Sequence, residues 1–236
     1  MLIGLDAELR AIRNRLRHEA SGPRAREELD RLVALAASGT VEAREELAEV
    51  LVAPGRPLWA REIAAFALGS AGDRRAFEAL ILLLNHRDPP RGATAARALA
   101  RLRDPRTPRA AAALATNPLR TAYAYHPIRL LVALRAPESV PALMSTLRRL
   151  LVDPDHHWPI ARACAEGLGE LGDPRARGVL TAAARYVQLR EPATTALRRI
   201  EAARREAGRG VRPVTPPRGP RPSGGRRGPR GTGAPR

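Results

Sequence analysis

Four of the five histidines, both tryptophans and two of the three tyrosines of this chain fall in a few short connecting segments. Trp59 stands in the first of them and His86 in the second. Segment 117–127 carries Tyr123, Tyr125 and His126, and segment 153–159 carries His156, His157 and Trp158. Imidazoles beside carboxylates are the donor chemistry of a zinc or iron site, which would draw on Asp153, Asp155, His126, His156 and His157. Adjacent histidines rarely both reach one ion, and no histidine recurs four residues on along a helix, so no metal ligand is assigned. Aromatic and arginine side chains are the usual anchors of protein interfaces, and loops held on a rigid scaffold are where binding concentrates. Trp59, His86, Tyr123, Tyr125, His126, His156, His157 and Trp158 are therefore the expected partner-binding edge. The competing reading makes Trp59 and Trp158 hydrophobic staples before their helices and packs Tyr123 and Tyr125 under a longer loop.

Nucleophilic and nucleotide chemistry find no constellation. Cys164 lies in an apolar helical stripe and reads as core, not as a reactive thiolate. The chain has no phosphate-cradling glycine loop, no dinucleotide fingerprint after a strand and no Gly-x-Ser-x-Gly elbow. No catalytic residue and no cofactor are expected, and the chain reads as a non-enzyme.

Charge is the other chemical signal. All 41 basic residues are arginine, against 24 acids, for a net charge of +17. Residues 207–236 hold eight of those arginines and no acid, with eight Gly and seven Pro. Such a segment buries too little apolar surface to offset backbone ordering of roughly 1–2 kcal/mol per residue, and a disordered basic tail is expected. Arg74, Arg75, Arg106, Arg109, Arg148, Arg149, Arg175 and Arg177 fall on or beside second helices. They define a possible basic face for a phosphate backbone or an acidic protein, although a charge excess on a helix is usually a solvated face.

What positions these groups is an internal repeat. Residues 60–73, ending Ala-Leu-Gly-Ser-Ala-Gly-Asp, align without gaps on residues 160–173, ending Gly-Leu-Gly-Glu-Leu-Gly-Asp; residues 91–104 fit the same frame. Segments 27–40 and 126–136 fit more loosely, and a partial copy runs through 194–200. The marker column holds Thr40, Asp73, Asp104, Ala136 and Asp173. Within a copy, Ile160, Ala163, Cys164, Gly167, Leu168 and Leu171 recur at helical spacing, as do Val140, Leu143, Met144, Leu147, Leu150 and Leu151. Gly69, Gly72, Gly169 and Gly172 let the chain leave the first helix. The marker Asp caps the second helix, and Pro105 and Pro174 occupy first-turn positions where proline is tolerated. No single pair can bury so narrow a stripe, but stacked pairs can.

The motifs at 67–73, 102–106 (Leu-Arg-Asp-Pro-Arg) and 167–176 (Gly-Leu-Gly-Glu-Leu-Gly-Asp-Pro-Arg-Ala) resemble the HEAT-repeat superfamily, in its short phycobilisome-lyase-type subclass. The resemblance spans roughly residues 25–206 and lies in cap, turn and core positions, so it implies fold more than activity. Members are mostly interaction scaffolds; some act on chromophores and others bind nucleic acid. A HEAT-type metal hydroxylase would need His-Glu pairs on successive repeats, and only His18-Glu19 occurs. The HEAT-like alkylpurine glycosylases use an Asp with two Trp on a basic concave face; here Ile63 and Arg162 stand four residues after Trp59 and Trp158. The basic face assigned above would line the inner surface of such a superhelix.

The expected molecule is all-α, a right-handed solenoid of about five to six antiparallel helix pairs over residues 25–206. An N-terminal helical segment (1–24, helix 5–19) precedes it and the basic tail (207–236) follows. With 3% aromatic residues and one cysteine, a β-sandwich, a disulfide framework and a Cys-based zinc cluster are excluded. No signal peptide and no run of ~20 apolar residues is read, which suggests a cytoplasmic protein. The expected partner is another protein, with nucleic acid as the alternative through the basic face and tail.

Overall fold

The computed structural model describes residues 4–153, 155 and 157–210. Among these residues α-helices and short 3-10 turns follow one another with no strand. Helix α1 (Leu5–Leu16) precedes five pairs: α2 (Pro23–Ser38) with α3 (Val41–Val52), α4 (Leu58–Ser70) with α5 (Phe77–Leu84), and α6 (Pro89–Leu102) with α7 (Thr107–Thr116). Then come α8 (Tyr125–Leu134) with α9 (Ser139–Val152) and α10 (Trp158–Leu171) with α11 (Arg177–Ala183). Helix α12 (Val187–Gly210) closes the row as a first helix without a second. First helices pack on first helices from α2 to α12, and second helices form the other layer. The fold is an all-α solenoid.

The repeat boundaries follow from cap chemistry. Thr40 Oγ1 accepts from the Ala43 N–H at the start of α3. Asp73, Asp104 and Asp173 each accept the backbone N–H two residues on, at 3.0, 2.9 and 2.8 Å. The Ala136 column cannot do this; there the Ser139 hydroxyl donates to the Leu131 carbonyl at 2.7 Å and ties α9 to α8. Gly39, Gly72 and Gly172 take positive φ at the exits of α2, α4 and α10, as left-handed helix ends require.

Gly69 and Gly169 act differently: they permit close packing. A β-carbon on Gly69 would stand 2.6 Å from Leu80 Cδ1, and one on Gly169 would stand 2.7 Å from Ala196. Alanine and glycine thus let backbones approach, and one core runs from Leu9 to Ile200. Burial of a large aliphatic side chain contributes roughly 1.5–3 kcal/mol, and Ile63, Phe66, Leu80, Leu99, Leu131, Leu147 and Leu168 are fully buried along that line.

Two boundaries differ from the sequence reading. The N-terminal helix stops at Leu16, short of residue 19. The partial sixth copy is a long helix, and it reaches Gly210, inside the segment expected to be tail. Residues 211–236, on which most of the tail expectation falls, lie outside the described residues. No helix of the described residues is long and apolar enough to cross a membrane.

Candidate functional site

The connections between repeats line one edge, and their aromatic and histidine side chains divide into several local structures. Trp59, in the first turn of α4, is buried in the core. His86 is half-buried, and its Nδ1 accepts the Asp88 backbone N–H at 3.0 Å, closing the α5–α6 turn. Tyr123 lies under the Arg120 guanidinium at 4.4 Å. Arg120 also donates to the Asn85 carbonyl at 2.7 Å, so the second and third connections are tied together.

Tyr125 and His126 meet edge to face at 5.2 Å. His126 packs on Gly92, where a β-carbon would come within 2.7 Å of its ring. Burial, and then the positive charge of Arg97, holds the His126 imidazole below its ordinary pKa against a hydrogen bond to the Pro89 backbone. Tyr125 is 46% exposed and turns to the first-helix side, where it shares a polar recess with Arg129, Arg162, Glu166 and Glu191. His157 caps α10 at a φ of 37°, in the left-handed region. His156 lies outside the described residues. Trp158 packs on Tyr186 at 5.6 Å, and the Tyr186 hydroxyl donates to the Leu151 carbonyl at 2.6 Å.

The expected edge is therefore brought together in part. His86, Tyr123, His126, Trp158 and His157 fix connections, Trp59 belongs to the core, and Tyr125 faces another surface. Among the described residues no group of three His, Cys, Asp or Glu is placed to hold a metal ion. Asp153 instead accepts the Asp155 backbone N–H at 3.0 Å. Cys164 is fully buried, and burial pushes its thiol up to about 12 against the opposing charge of Arg149.

The same edge carries a feature that reading the rare residue types missed. Val52, Leu82, Leu119, Val152 and Val187 are 79%, 74%, 89%, 83% and 74% exposed. Each lies in the last turn of a second helix or within a few residues beyond it, one for each of the five pairs. They stand nine to sixteen residues after their repeats' marker positions, so aligning the repeats does not superpose them and no sequence signal announces them.

The eight basic-face arginines also divide. Arg75, Arg106 and Arg175 fold back onto the capping Asp73, Asp104 and Asp173, at 2.6, 3.0 and 2.7 Å. Those arginines hold all three carboxyls below the usual carboxylate range. Arg75 further meets Glu45 at 2.7 Å, and Arg106 stacks on Phe77 at 3.9 Å. Arg177 faces Glu201 at 3.4 Å and Arg149 faces Asp153 at 3.9 Å. Arg74, Arg109 and Arg148 are exposed, with no carboxylate within 4 Å among the described residues.

A buried ion network was not legible in the sequence at all. Glu62, fully buried on α4, takes Arg15 of α1 and Arg91 of α6, the latter at 3.0 Å. Arg91 reaches on to Glu19. Glu8 of α1, 4% exposed, takes Arg97 and Arg101. Helix α1 is thus clipped to the first-helix layer by charge as well as by Leu9, Ile12 and Leu16.

Comparison with known proteins agrees with this architecture. Residues 60–86 and 160–186, which are α4 with α5 and α10 with the turn and helix after it, match the model of the PBS lyase HEAT-like repeat. Two of the five helix pairs thus match as HEAT-like repeats. No curated protein matches it. Among solved structures it is similar to human deoxyhypusine hydroxylase in complex with glycerol, at 17% identity and a TM-score of 0.28, over 84% of this chain and 97% of that one.

Proposed function

We propose that this chain is a non-catalytic scaffold that binds another protein along the inter-repeat edge of its solenoid. The observation that carries the reading is the column of Val52, Leu82, Leu119, Val152 and Val187, one strongly exposed aliphatic side chain for each helix pair. Single exposed aliphatics are ordinary; their recurrence near the same end of every helix pair supports an interaction edge. The connections behind it are pinned by Arg120, His86 and Tyr186, so the edge is presented rigidly and little ordering is lost on binding.

Two features favour a protein partner over nucleic acid. Arg75, Arg106 and Arg175 are held by their capping aspartates, which leaves less free positive charge for phosphates than the composition suggests. The exposed column itself is aliphatic and offers nothing for stacking on bases. A hydroxylase reading finds no support in the single His-Glu pair, because the Glu19 carboxylate binds Arg91.

Affinity capture from the native host tests the reading, with wild type set against the Val52→Ser, Leu82→Ser, Leu119→Ser variant. Exposed substitutions of this kind change stability by about 0.5 kcal/mol or less each, so the variant folds. Loss of specific partners supports the scaffold edge; recovery of the same partners in the same amounts overturns it.

A further inference from the structure

A groove of about 530 Å³ runs between α9 and α11 on the second-helix side. Leu151, Val179 and Ala182 form its apolar floor, and Val152 of the exposed column stands on its rim. Arg148 and Arg185 flank it, both exposed and neither within 4 Å of a carboxylate among the described residues. No acidic residue lines it. The groove is apolar below and positively charged at its rim.

Gly178, the second residue of α11, keeps the groove wider than a side chain there would. A glycine inside a helix costs roughly 0.5–1 kcal/mol relative to alanine. Gly69, Gly92, Gly167 and Gly169 each face a neighbour that a β-carbon would strike, at 2.5–2.7 Å. At Gly178, on the groove wall in α11, a β-carbon would meet nothing within 4 Å. Packing within the chain therefore does not call for glycine at this position, and its absent side chain widens the groove.

We propose that the groove between α9 and α11 receives an acidic amphipathic helix from a partner protein. Its aliphatic face would lie over Leu151, Val179 and Gly178, and its carboxylates would meet Arg148 and Arg185. Helices dock in grooves by aliphatic anchors at helical spacing. Arginine pairs with carboxylates in two-pronged geometry, and a chain of net charge +17 steers an acidic partner toward it. The proposal rests on the scaffold reading and assigns it one docking site and one partner chemistry.

The test uses the full chain and a fluorescein-labelled peptide of about 18 residues, long enough to be helical, with leucines on one face and glutamates on its flanks. Lysine-for-glutamate and serine-for-leucine versions and a labelled DNA duplex are the controls, and anisotropy is the readout. The acidic leucine peptide binds wild type, and both altered peptides bind about ten-fold or more weakly. Gly178→Trp, at a position where a β-carbon meets nothing within 4 Å, places a ring in the groove, and it and the Arg148→Glu, Arg185→Glu pair each weaken binding by about ten-fold or more. Val41→Ser, at the opposite end of a second helix and outside both the groove and the edge, leaves it unchanged. Absence of peptide binding, equal binding to Gly178→Trp, or equal binding of the lysine peptide overturns the proposal. So does a DNA complex that Gly178→Trp abolishes while the peptide is unaffected. If peptide binding fails while the Val52, Leu82, Leu119 triple variant still loses host partners, the groove is wrong and the scaffold reading stands. If the peptide result holds and the triple variant keeps every partner, the edge reading fails and the groove remains.

Discussion

Gly169 of α10 lies directly against Ala196 of α12: a β-carbon on the glycine would stand 2.7 Å from both Cα and Cβ of the alanine. The contact joins the last complete repeat to the terminal helix, and it involves backbone that cannot swing aside. Gly169→Ala should destabilise the chain by about 1–3 kcal/mol, the usual cost of overpacking. Gly178→Ala, at an open position in the first turn of α11, should stabilise it by up to about 0.5–1 kcal/mol. Urea denaturation of the two variants reads opposite signs from the same chemical change.

Glu62 is fully buried between Arg15 and Arg91, and Arg91 itself is 7% exposed. Removing one member of a buried pair strands the other, so Glu62→Ala should cost about 3–5 kcal/mol. Glu62→Leu combined with Arg91→Met should recover most of that loss, because replacing both partners by apolar groups is often neutral or better. Thermal melts of the single and double variants check this.

His126 gives stability a pH dependence whose sign can be worked out. Burial and Arg97 lower its pKa in the folded chain, so above its ordinary value of about 6.5 the ring is neutral in both states. Below that pH the unfolded chain takes up a proton that the folded site resists, and stability falls as pH drops. His126→Gln should flatten the urea midpoint between about pH 7 and 5. Glu8, Asp73 and Asp104 have lowered pKa values in the folded chain. Their contribution is present above the ordinary carboxylate range of about 4 and is lost on further acidification. That second decline should survive in His126→Gln.

The solenoid was legible because its grammar is local. Asp73, Asp104 and Asp173 announce caps, Gly72 and Gly172 announce left-handed exits, and the apolar stripes declare their period. Each of these needs only neighbours within a few residues. The Glu62–Arg91 pair and the docking of Glu8 on Arg97 and Arg101 join residues far apart in the chain, and charged residues on helices read as solvated until the helices are stacked. The candidate edge was located by its rare residues, yet Trp59 proved to be core and His86 a turn cap. Aromatic and imidazole groups at helix starts satisfy local packing and hydrogen bonds as readily as they bind a partner. The exposed aliphatics went unseen because a Val or Leu carries no signal of exposure until the helices around it are stacked, and these five stand at different offsets in their repeats.

The aspartate clasps make a prediction about nucleic acid. Asn caps a helix about as well as Asp, so Asn at 73, 104 and 173 should keep the fold while freeing Arg106 and Arg175 from a negative partner, Arg75 keeping Glu45. The two freed arginines should tighten DNA binding and steepen its salt dependence by up to about two phosphate contacts. Electrophoretic mobility at two salt concentrations, wild type against the triple Asn variant, measures the difference.

The central claim is most directly tested by site-specific photo-crosslinking in the native host. A benzoylphenylalanine is placed at Leu119, 89% exposed on the proposed edge, or at Val41, 60% exposed at the opposite end of a second helix. Discrete protein adducts from position 119 and none from position 41 are the predicted result. Equal labelling from both positions, or adducts from 41 alone, would contradict it.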